Sequence, residues 1–183
     1  MRRLRLVWIA LGVTSLAGVV ALFLLPTSWQ VERQVTIAAP AEAIWPWLID
    51  LERWPSWSPW REEDYPGLEF RYSSPAAGPG AELTWDSEAT GDGSLRLEAA
   101  EPPRRLTVAM AYQQGRITSR DTLELAPLPG GGTRVTWSER GSLGHTLLGR
   151  LSVPVIEESM GRDLERGLEG LRRVVEGEAP GEL

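Results

Sequence analysis

The sequence predicts an α+β domain in which one curved antiparallel sheet of seven strands packs against a single long C-terminal helix. Segments with alternating apolar residues follow one another from residue 31 to residue 139, separated by proline- and glycine-rich turns. The last thirty residues instead repeat their apolar positions at helical spacing. A single long helix must lie across one face of the sheet, and a strongly twisted sheet then leaves a cavity between the two.

An uncharged apolar stretch precedes this domain. Residues 6–25 carry no charged side chain, and a helix of that length spans the roughly 30 Å hydrocarbon core of a bilayer. Trp8 and Trp29 flank the stretch, as tryptophans do at membrane interfaces, and Pro26 ends the helix. The sequence therefore predicts a transmembrane anchor over residues 1–28.

A cleaved signal peptide is the alternative, because residues 15–17 (Ser-Leu-Ala) offer a small-x-small cleavage site. Cleavage there would leave the apolar segment GVVALFLLP exposed, which favours the uncleaved anchor. Three arginines precede the stretch and only Arg33 closely follows it. The positive-inside rule then places the N-terminus in the cytoplasm and the domain outside it, as a single-pass protein of the cell membrane.

The composition argues against several classes of function. The chain has no cysteine, which excludes disulfides and thiolate chemistry, and its one histidine, His145, argues against an imidazole metal site. Three of the 19 arginines lie in the first five residues, so the remainder carries 16 arginines against 25 acidic residues. Such an acidic domain repels nucleic acid phosphates. We expect no metal, no cofactor and no nucleic acid partner.

The domain begins with a strand and two short helices. The alternating residues of the strand are Val31, Val35 and Ile37, and Pro40 ends it. The next segment, PAEAIWPWLIDLERW, predicts a short helix with Ile44, Leu48 and Leu51 on one side. Prolines then break the chain into a turn or a second short helix.

That region, WPWLIDLERWPSWSPW, holds five of the nine tryptophans of the chain. Trp54, Trp57 and Trp60 recur every three residues, so a tight helical turn would place them on one face. Trp45 and Trp47 cannot both point inward from one helix, and one of them is expected at the surface.

Six strand-like segments follow: LEFRYS, AELTWDS, SLRLEAAEPP, RRLTVAMAYQ, DTLELAP and TRVTWSE, the last two joined by the turn LPGGG. The C-terminal helix places Met160, Leu164, Leu168, Leu171 and Val175 on one face. Its three glycines cost about 1 kcal/mol each against alanine, which indicates close approach to another surface or a loosely held helix. Residues 177–183 are expected to be a disordered tail.

Several of these stretches resemble the START-like, or SRPBCC, superfamily, and in particular its bacterial polyketide cyclase/dehydrase-like branch. They are VERQVTIAAPAEAIWPWLIDLERWPSWSPW, YSSPAAGPGAELTW, EAAEPPRRLTV, GGGTRVTWSERG and GRDLERGLEGLRRVVE. The resemblance implies a helix-grip fold over residues 30–176, in which the second short helix closes the mouth between sheet and long helix. Trp54, Trp57 and Trp60 then either pack as a lid over the cavity or line its entrance and contact a ligand. It also implies a binder of hydrophobic ligands, since enzymes are a minority in this superfamily.

The inward faces then predict an apolar, aromatic pocket that suits a lipid, an isoprenoid or a polycyclic ligand. Its expected ligand-binding residues are Trp57, Phe70, Tyr72, Trp85, Met110, Tyr112, Trp137, Met160 and Leu164. We therefore expect a membrane-anchored domain that binds a hydrophobic small molecule or lipid.

Two alternatives remain open. If Leu125 pairs with Val135, then Asp121 faces Glu139, and this carboxylate pair could perform acid/base chemistry in a cyclase- or dehydratase-like enzyme. Otherwise the two side chains are solvated or paired with neighbouring arginines. No common catalytic motif, such as GxSxG or HExxH, is present. The other alternative is a structural domain whose cavity is filled by its own tryptophans.

Overall fold

The computed structural model describes residues 8, 12, 22–61, 65, 67–87, 91–144 and 146–177. One antiparallel sheet has the strand order β1-β7-β6-β5-β4-β3-β2. Its strands are β1 (Ser28–Ile37), β2 (Phe70–Tyr72), β3 (Glu82–Ser87), β4 (Gly91–Glu101), β5 (Arg105–Tyr112), β6 (Ile117–Pro127) and β7 (Thr133–Ser142). The helices are α1 (Ala41–Ile49), a 3₁₀ helix (Leu51–Ser56) and α2 (Leu147–Glu176). The predicted curved sheet with one long C-terminal helix is confirmed.

The strands differ from expectation mainly in length. β2 has only three residues, and Leu68 lies before it in irregular chain, although it is buried as its alternation predicted. β4 has eleven residues, and its register with β5 shifts between Leu97 and Ala99. A bulge of this kind bends a strand and increases its twist, which curves the sheet toward α2.

The glycines of α2 mark close approach to the rest of the domain. A Cβ atom on Gly170 would lie 2.2 Å from the carbonyl oxygen of Trp57, and one on Gly167 would lie 2.7 Å from the Trp137 ring. The interpretation as a loosely held helix is therefore wrong. Thr146 caps the first turn by accepting a hydrogen bond from the Gly149 N–H at 3.1 Å, and Gly177 ends the helix with a left-handed φ of 71°.

Trp29 was expected at a membrane interface, and that expectation is wrong. It lies in β1 with 3% of its surface exposed, and its indole Nε1 donates a hydrogen bond to Glu139 Oε1 at 3.2 Å. Trp45 and Trp47 were expected to place one ring at the surface, but both are half-buried against the core.

The ends of the chain fall largely outside the described residues. Most of the expected anchor in residues 6–25 and residues 178–183 of the expected tail are not among them, and neither is His145, which precedes α2. No helix among the described residues is long and apolar enough to cross a membrane. β1 begins at Ser28 and pairs with β7 from the Ser28–Ser142 pair onward.

Candidate functional site

A cavity of about 230 Å³ lies between α2 and the strands β2 to β5. Six aromatic side chains line it: Trp54, Trp60, Tyr65, Phe70, Trp85 and Tyr112. Leu68, Leu83, Leu95 and Met160 add aliphatic surface, and Ser58, Ser159 and Asp163 supply further polar groups. The wall is therefore mainly apolar and aromatic, with a few hydrogen-bonding groups, as in sites for small organic molecules.

Four of the nine expected binding residues lie in this wall: Phe70, Trp85, Tyr112 and Met160. The other five expected residues lie outside this wall: Trp57, Tyr72, Met110, Trp137 and Leu164. Four of these are buried in the packed core, whereas Tyr72 borders a separate shallow groove beside Pro55. Alternation identifies the inward face of a strand, but not where along that face the long helix leaves space.

Asp163 is the most consequential residue that the sequence analysis missed. It lies three positions after Met160 on α2, and that spacing places both on the face turned toward the sheet. An acidic residue within the inward stripe of an amphipathic helix is the signal that could have identified it. Ser159 reaches the same cavity from the preceding position.

The crowded tryptophans form a packed cluster around Trp137. The ring centroid of Trp137 lies 6.3 Å from that of Trp54, 5.8 Å from Trp57 and 6.3 Å from Trp60. Such edge-to-face arrangements are favourable because the positive edge of one ring meets the negative face of another. The cluster therefore fills the space beside the cavity.

Two of these indoles also cap α1. Trp54 Nε1 donates to the Leu48 carbonyl and Trp57 Nε1 donates to the Trp47 carbonyl, each at 3.0 Å. The last carbonyls of a helix have no partner within the helix, so these bonds satisfy groups that burial would otherwise penalise. Trp57 is accordingly a packing residue, whereas Trp54 both packs and forms part of the cavity wall.

The carboxylate pair has the expected register. Leu125 pairs with Val135 and Asp121 pairs with Glu139, and both acids point to the buried face of the sheet. They are not solvated, and the neighbouring Arg120 instead pairs with Glu98 at 2.8 Å on the other face. Neither carboxylate lines the cavity.

Each of these acids accepts a hydrogen bond from an indole. Trp137 Nε1 donates to Asp121 Oδ2 at 2.9 Å, as Trp29 does to Glu139. Burial, followed by the charge of Glu139, raises the pKa of Asp121 well above its usual range, and the Trp137 bond opposes this rise. Burial also raises the pKa of Glu139, and the hydrogen bond from Trp29 opposes this rise.

Tyr112 connects this buried pair with the cavity. Its hydroxyl donates to Met110 Sδ at 3.4 Å, and its ring meets that of Trp85 edge to face at 5.8 Å. Burial raises the pKa of Tyr112 well above its usual range, and the charges of Glu139, Asp121 and Asp163 raise it further. The hydroxyl is therefore a neutral donor or acceptor at the cavity wall.

Asp163 carries the only charged side chain among the described residues that line the cavity. Its Oδ1 accepts a hydrogen bond from Arg166 Nη2 at 2.6 Å. The Arg166 side chain is 47% exposed and that of Asp163 only 11%, so the carboxylate is the more buried member of the pair. Nowhere in the described parts of the chain do three or more acidic or histidine side chains gather closely enough to hold a metal ion.

The comparisons with known proteins agree on the architecture. The family model described as polyketide cyclase / dehydrase and lipid transport matches residues 28–176. No curated protein sequence gives a significant match.

Solved structures from several organisms share the fold at low identity. Norcoclaurine synthase from Thalictrum flavum is 15% identical with a TM-score of 0.59, covering 81% of this chain and 93% of its own. A protein from Thermobifida fusca is 23% identical with a TM-score of 0.59, over 84% of this chain and 97% of its own. CalU16 from Micromonospora echinospora is 20% identical with a TM-score of 0.54, over 82% and 76% respectively. At these identities the likeness concerns the fold alone.

Proposed function

The chain belongs to the polyketide cyclase / dehydrase and lipid transport family, and from this premise we propose that its domain binds a small, mainly apolar molecule in the cavity between α2 and β2–β5. The observation that carries the proposal is the cavity itself, enclosed by six aromatic side chains. Apolar ligand surface buried there contributes about 25 cal/mol per Å² to the free energy of binding. Ser58, Ser159 and Tyr112 could orient the ligand through a single polar group.

The size of the cavity favours a ligand with one or two rings. Its volume of about 230 Å³ lies below the roughly 300–1,000 Å³ that is typical of sites for drug-sized molecules. A long acyl chain or a polycyclic molecule would need the cavity to widen. The proposed ligand is therefore smaller than the lipid, isoprenoid or polycyclic ligands that the sequence indicates.

An acid/base enzyme of the cyclase or dehydratase type is the second candidate. The arrangement that favours it is Tyr112 and Asp163 at the cavity wall, with Asp121 and Glu139 buried behind them. Such a group would act as a general acid only if a substrate atom reached hydrogen-bond distance from it. The third idea, a cavity filled by tryptophan side chains, fits poorly because the cluster packs beside the cavity and leaves it open.

We also propose that residues 6–25 anchor the chain in the cell membrane, with the N-terminus in the cytoplasm. The support is the uncharged sequence together with the exposed apolar residues near the point where this stretch meets the domain. There the Arg150 guanidinium donates to the Leu25 carbonyl, and the exposed residues are Phe23, Leu24, Leu148, Leu151 and Val155. Recovery of the full-length chain in the soluble fraction of disrupted cells would contradict this anchor.

The binding proposal is tested by filling the cavity. Calorimetric titration of the full-length chain in phospholipid nanodiscs with 2-naphthylmethanol, a neutral two-ring alcohol, should give saturable binding above an empty-nanodisc blank. Met160→Trp should weaken this binding by about tenfold or more, since the indole occupies the ligand space. Val174→Trp is the control, because Val174 is half-buried on the same helix but outside the cavity wall. Equal binding in the two variants would contradict the proposal.

A further inference from the structure

We propose that the cavity selects a ligand carrying a protonated amine over a neutral or anionic ligand of the same size. This inference rests on the proposed binding function and specifies the chemical class of its ligand. It is carried by the aromatic wall, by the carboxylate of Asp163 within that wall, and by the lack of a basic side chain among the described residues that line it.

The aromatic rings offer faces that attract cations. An ammonium group close to the face of a tryptophan or tyrosine ring is attracted by the negative charge of the π system, and the attraction is greater where water is excluded. Three tryptophans and two tyrosines contribute to this wall. Trp85 and Tyr112 hold each other edge to face at an interplanar angle of 66°, so their faces point in different directions around one end of the cavity.

The charged groups at the wall have one sign. No arginine is among the described residues that line the cavity, and the chain contains no lysine. Arg166 pairs with Asp163, and its side chain is 47% exposed and lies outside the described residues that line the cavity. A carboxylate ligand would compete with Asp163 for this one cation, whereas an ammonium ligand would gain a charge-assisted hydrogen bond to Asp163.

Two further acids lie behind the wall. Asp121 and Glu139 are 1% and 0% exposed, and neither forms an ion pair within the described residues. Both acids and Asp163 raise the pKa of Tyr112, so all three lie close to the Tyr112 hydroxyl at the cavity surface. A cation bound there would favour the ionised form of these acids, because an opposite charge stabilises a carboxylate.

The test compares three ligands of nearly identical shape: 2-naphthylmethylamine, 2-naphthylmethanol and 2-naphthoate. Each is titrated calorimetrically at neutral pH into the full-length chain in nanodiscs of zwitterionic phospholipid. The amine should bind about tenfold tighter than the alcohol, and the naphthoate should bind more weakly than either. Asp163→Asn should weaken amine binding by about tenfold and leave alcohol binding within about twofold.

Glu165→Gln is the matched control, because Glu165 lies on the same helix outside this cavity and pairs with Arg33. It should leave the amine preference unchanged. Arg166→Gln provides a second test should Asp163→Asn fail to fold, since it removes the competing cation and keeps the carboxylate. The amine preference should then be maintained or increased, and a decrease would contradict the inference.

The outcomes separate this inference from the function on which it rests. Binding of the alcohol with no preference for the amine would overturn amine selectivity and leave the binding function standing. An amine preference that survives in Asp163→Asn would also overturn it, because the selectivity would then come from another source. Absence of saturable binding by all three ligands would overturn the binding function itself.

Discussion

The interior of the domain has a filled side, where aromatic rings pack against one another, and an open side, where aromatic rings border a cavity. The same residue types build both sides. Beside β7 and the 3₁₀ helix, the rings of Trp54, Trp57 and Trp137 pack with centroid separations between 4.8 and 6.3 Å. Beneath β2–β5, Trp85 and Tyr112 instead border a cavity of about 230 Å³. An aromatic residue on an inward face therefore does not by itself indicate a binding site.

The partner of the indole N–H distinguishes the two sides. In the filled side each buried indole donates to a protein acceptor: a helix carbonyl for Trp54 and Trp57, and a carboxylate for Trp29 and Trp137. The Trp85 indole forms no hydrogen bond to another of the described residues, and its ring borders the cavity. An indole N–H that already has a partner holds its ring in place, as for Trp54 at the edge of the cavity, whereas one without a partner can still bind a ligand.

The largest expected effect is in the filled side. Trp137→Ala removes the ring at the centre of the cluster and leaves Asp121 without its indole donor. The free energy of unfolding should fall by about 3–5 kcal/mol, the usual cost of deleting a large buried aromatic side chain. Urea denaturation followed by circular dichroism measures this, and a loss below about 1 kcal/mol would show that the cluster is not a stabilising core.

A smaller effect is expected where α2 meets the cluster. Gly170→Ala places a methyl group 2.2 Å from the Trp57 carbonyl, which is backbone and cannot move alone. The helix must shift, at a cost of about 1–3 kcal/mol that outweighs the helix propensity gained. The same denaturation experiment checks this, and a Gly170→Ala variant more stable than the wild type would contradict the close approach.

Trp85→Ala, on the open side, should lower ligand affinity strongly and stability only slightly. Trp85 is half-buried, so its removal should cost less stability than removal of Trp137, about 2 kcal/mol or less. Affinity for 2-naphthylmethanol should nevertheless fall by about tenfold, because the ring is part of the cavity wall. Equal losses of stability in Trp85→Ala and Trp137→Ala would show that the two sides do not differ in packing.

The smallest effect concerns the pH dependence of stability. Because the pKa values of Asp121 and Glu139 are raised in the folded state, the folded protein holds their protons more tightly than the unfolded chain does. Stability from this source is complete below the unfolded pKa values, about 4, and is lost as the pH rises through the raised folded values.

Asp121→Asn should therefore flatten the decline in stability above pH 4 while its amide oxygen still accepts the Trp137 bond. Thermal unfolding measured between mildly acidic and mildly alkaline pH tests this, with Glu98→Gln, an exposed acid on the same sheet, as the control. If the pH dependence of stability is unchanged in Asp121→Asn, groups other than Asp121 cause the decline in stability. Affinity for 2-naphthylmethanol should stay within about threefold, because Asp121 lies outside the cavity wall.

The sequence predicts the faces of the strands well because the alternation of side chains follows from backbone geometry alone. The glycine-rich turn fixed the register of β6 and β7, and so brought Asp121 opposite Glu139. Position along a face is harder to predict. Met110 and Tyr112 share one face of β5, yet only Tyr112 borders the cavity, because the packing of α2 decides where space remains.

Trp29 shows a second limit of the sequence analysis. Its place after a long apolar stretch indicated a membrane interface, but its true partners are distant in sequence. The ring covers Gly141 on β7, where an added Cβ would lie 2.0 Å from it, and the indole reaches Glu139. Such contacts between strands 110 residues apart become visible only when the register of β1 with β7 is known.

The most direct test of the two-sided interior is an NMR titration that observes the indole N–H signals. Residues 25–183 retain eight of the nine tryptophans, so each side of the interior carries its own reporters. Addition of 2-naphthylmethanol should shift the signals of Trp60 and Trp85 saturably and leave those of Trp29 and Trp45 in place, because only the first two line the cavity. Saturable shifts confined to Trp29 and Trp45, or no saturable shift at all, would contradict the assignment of the open side as the ligand site.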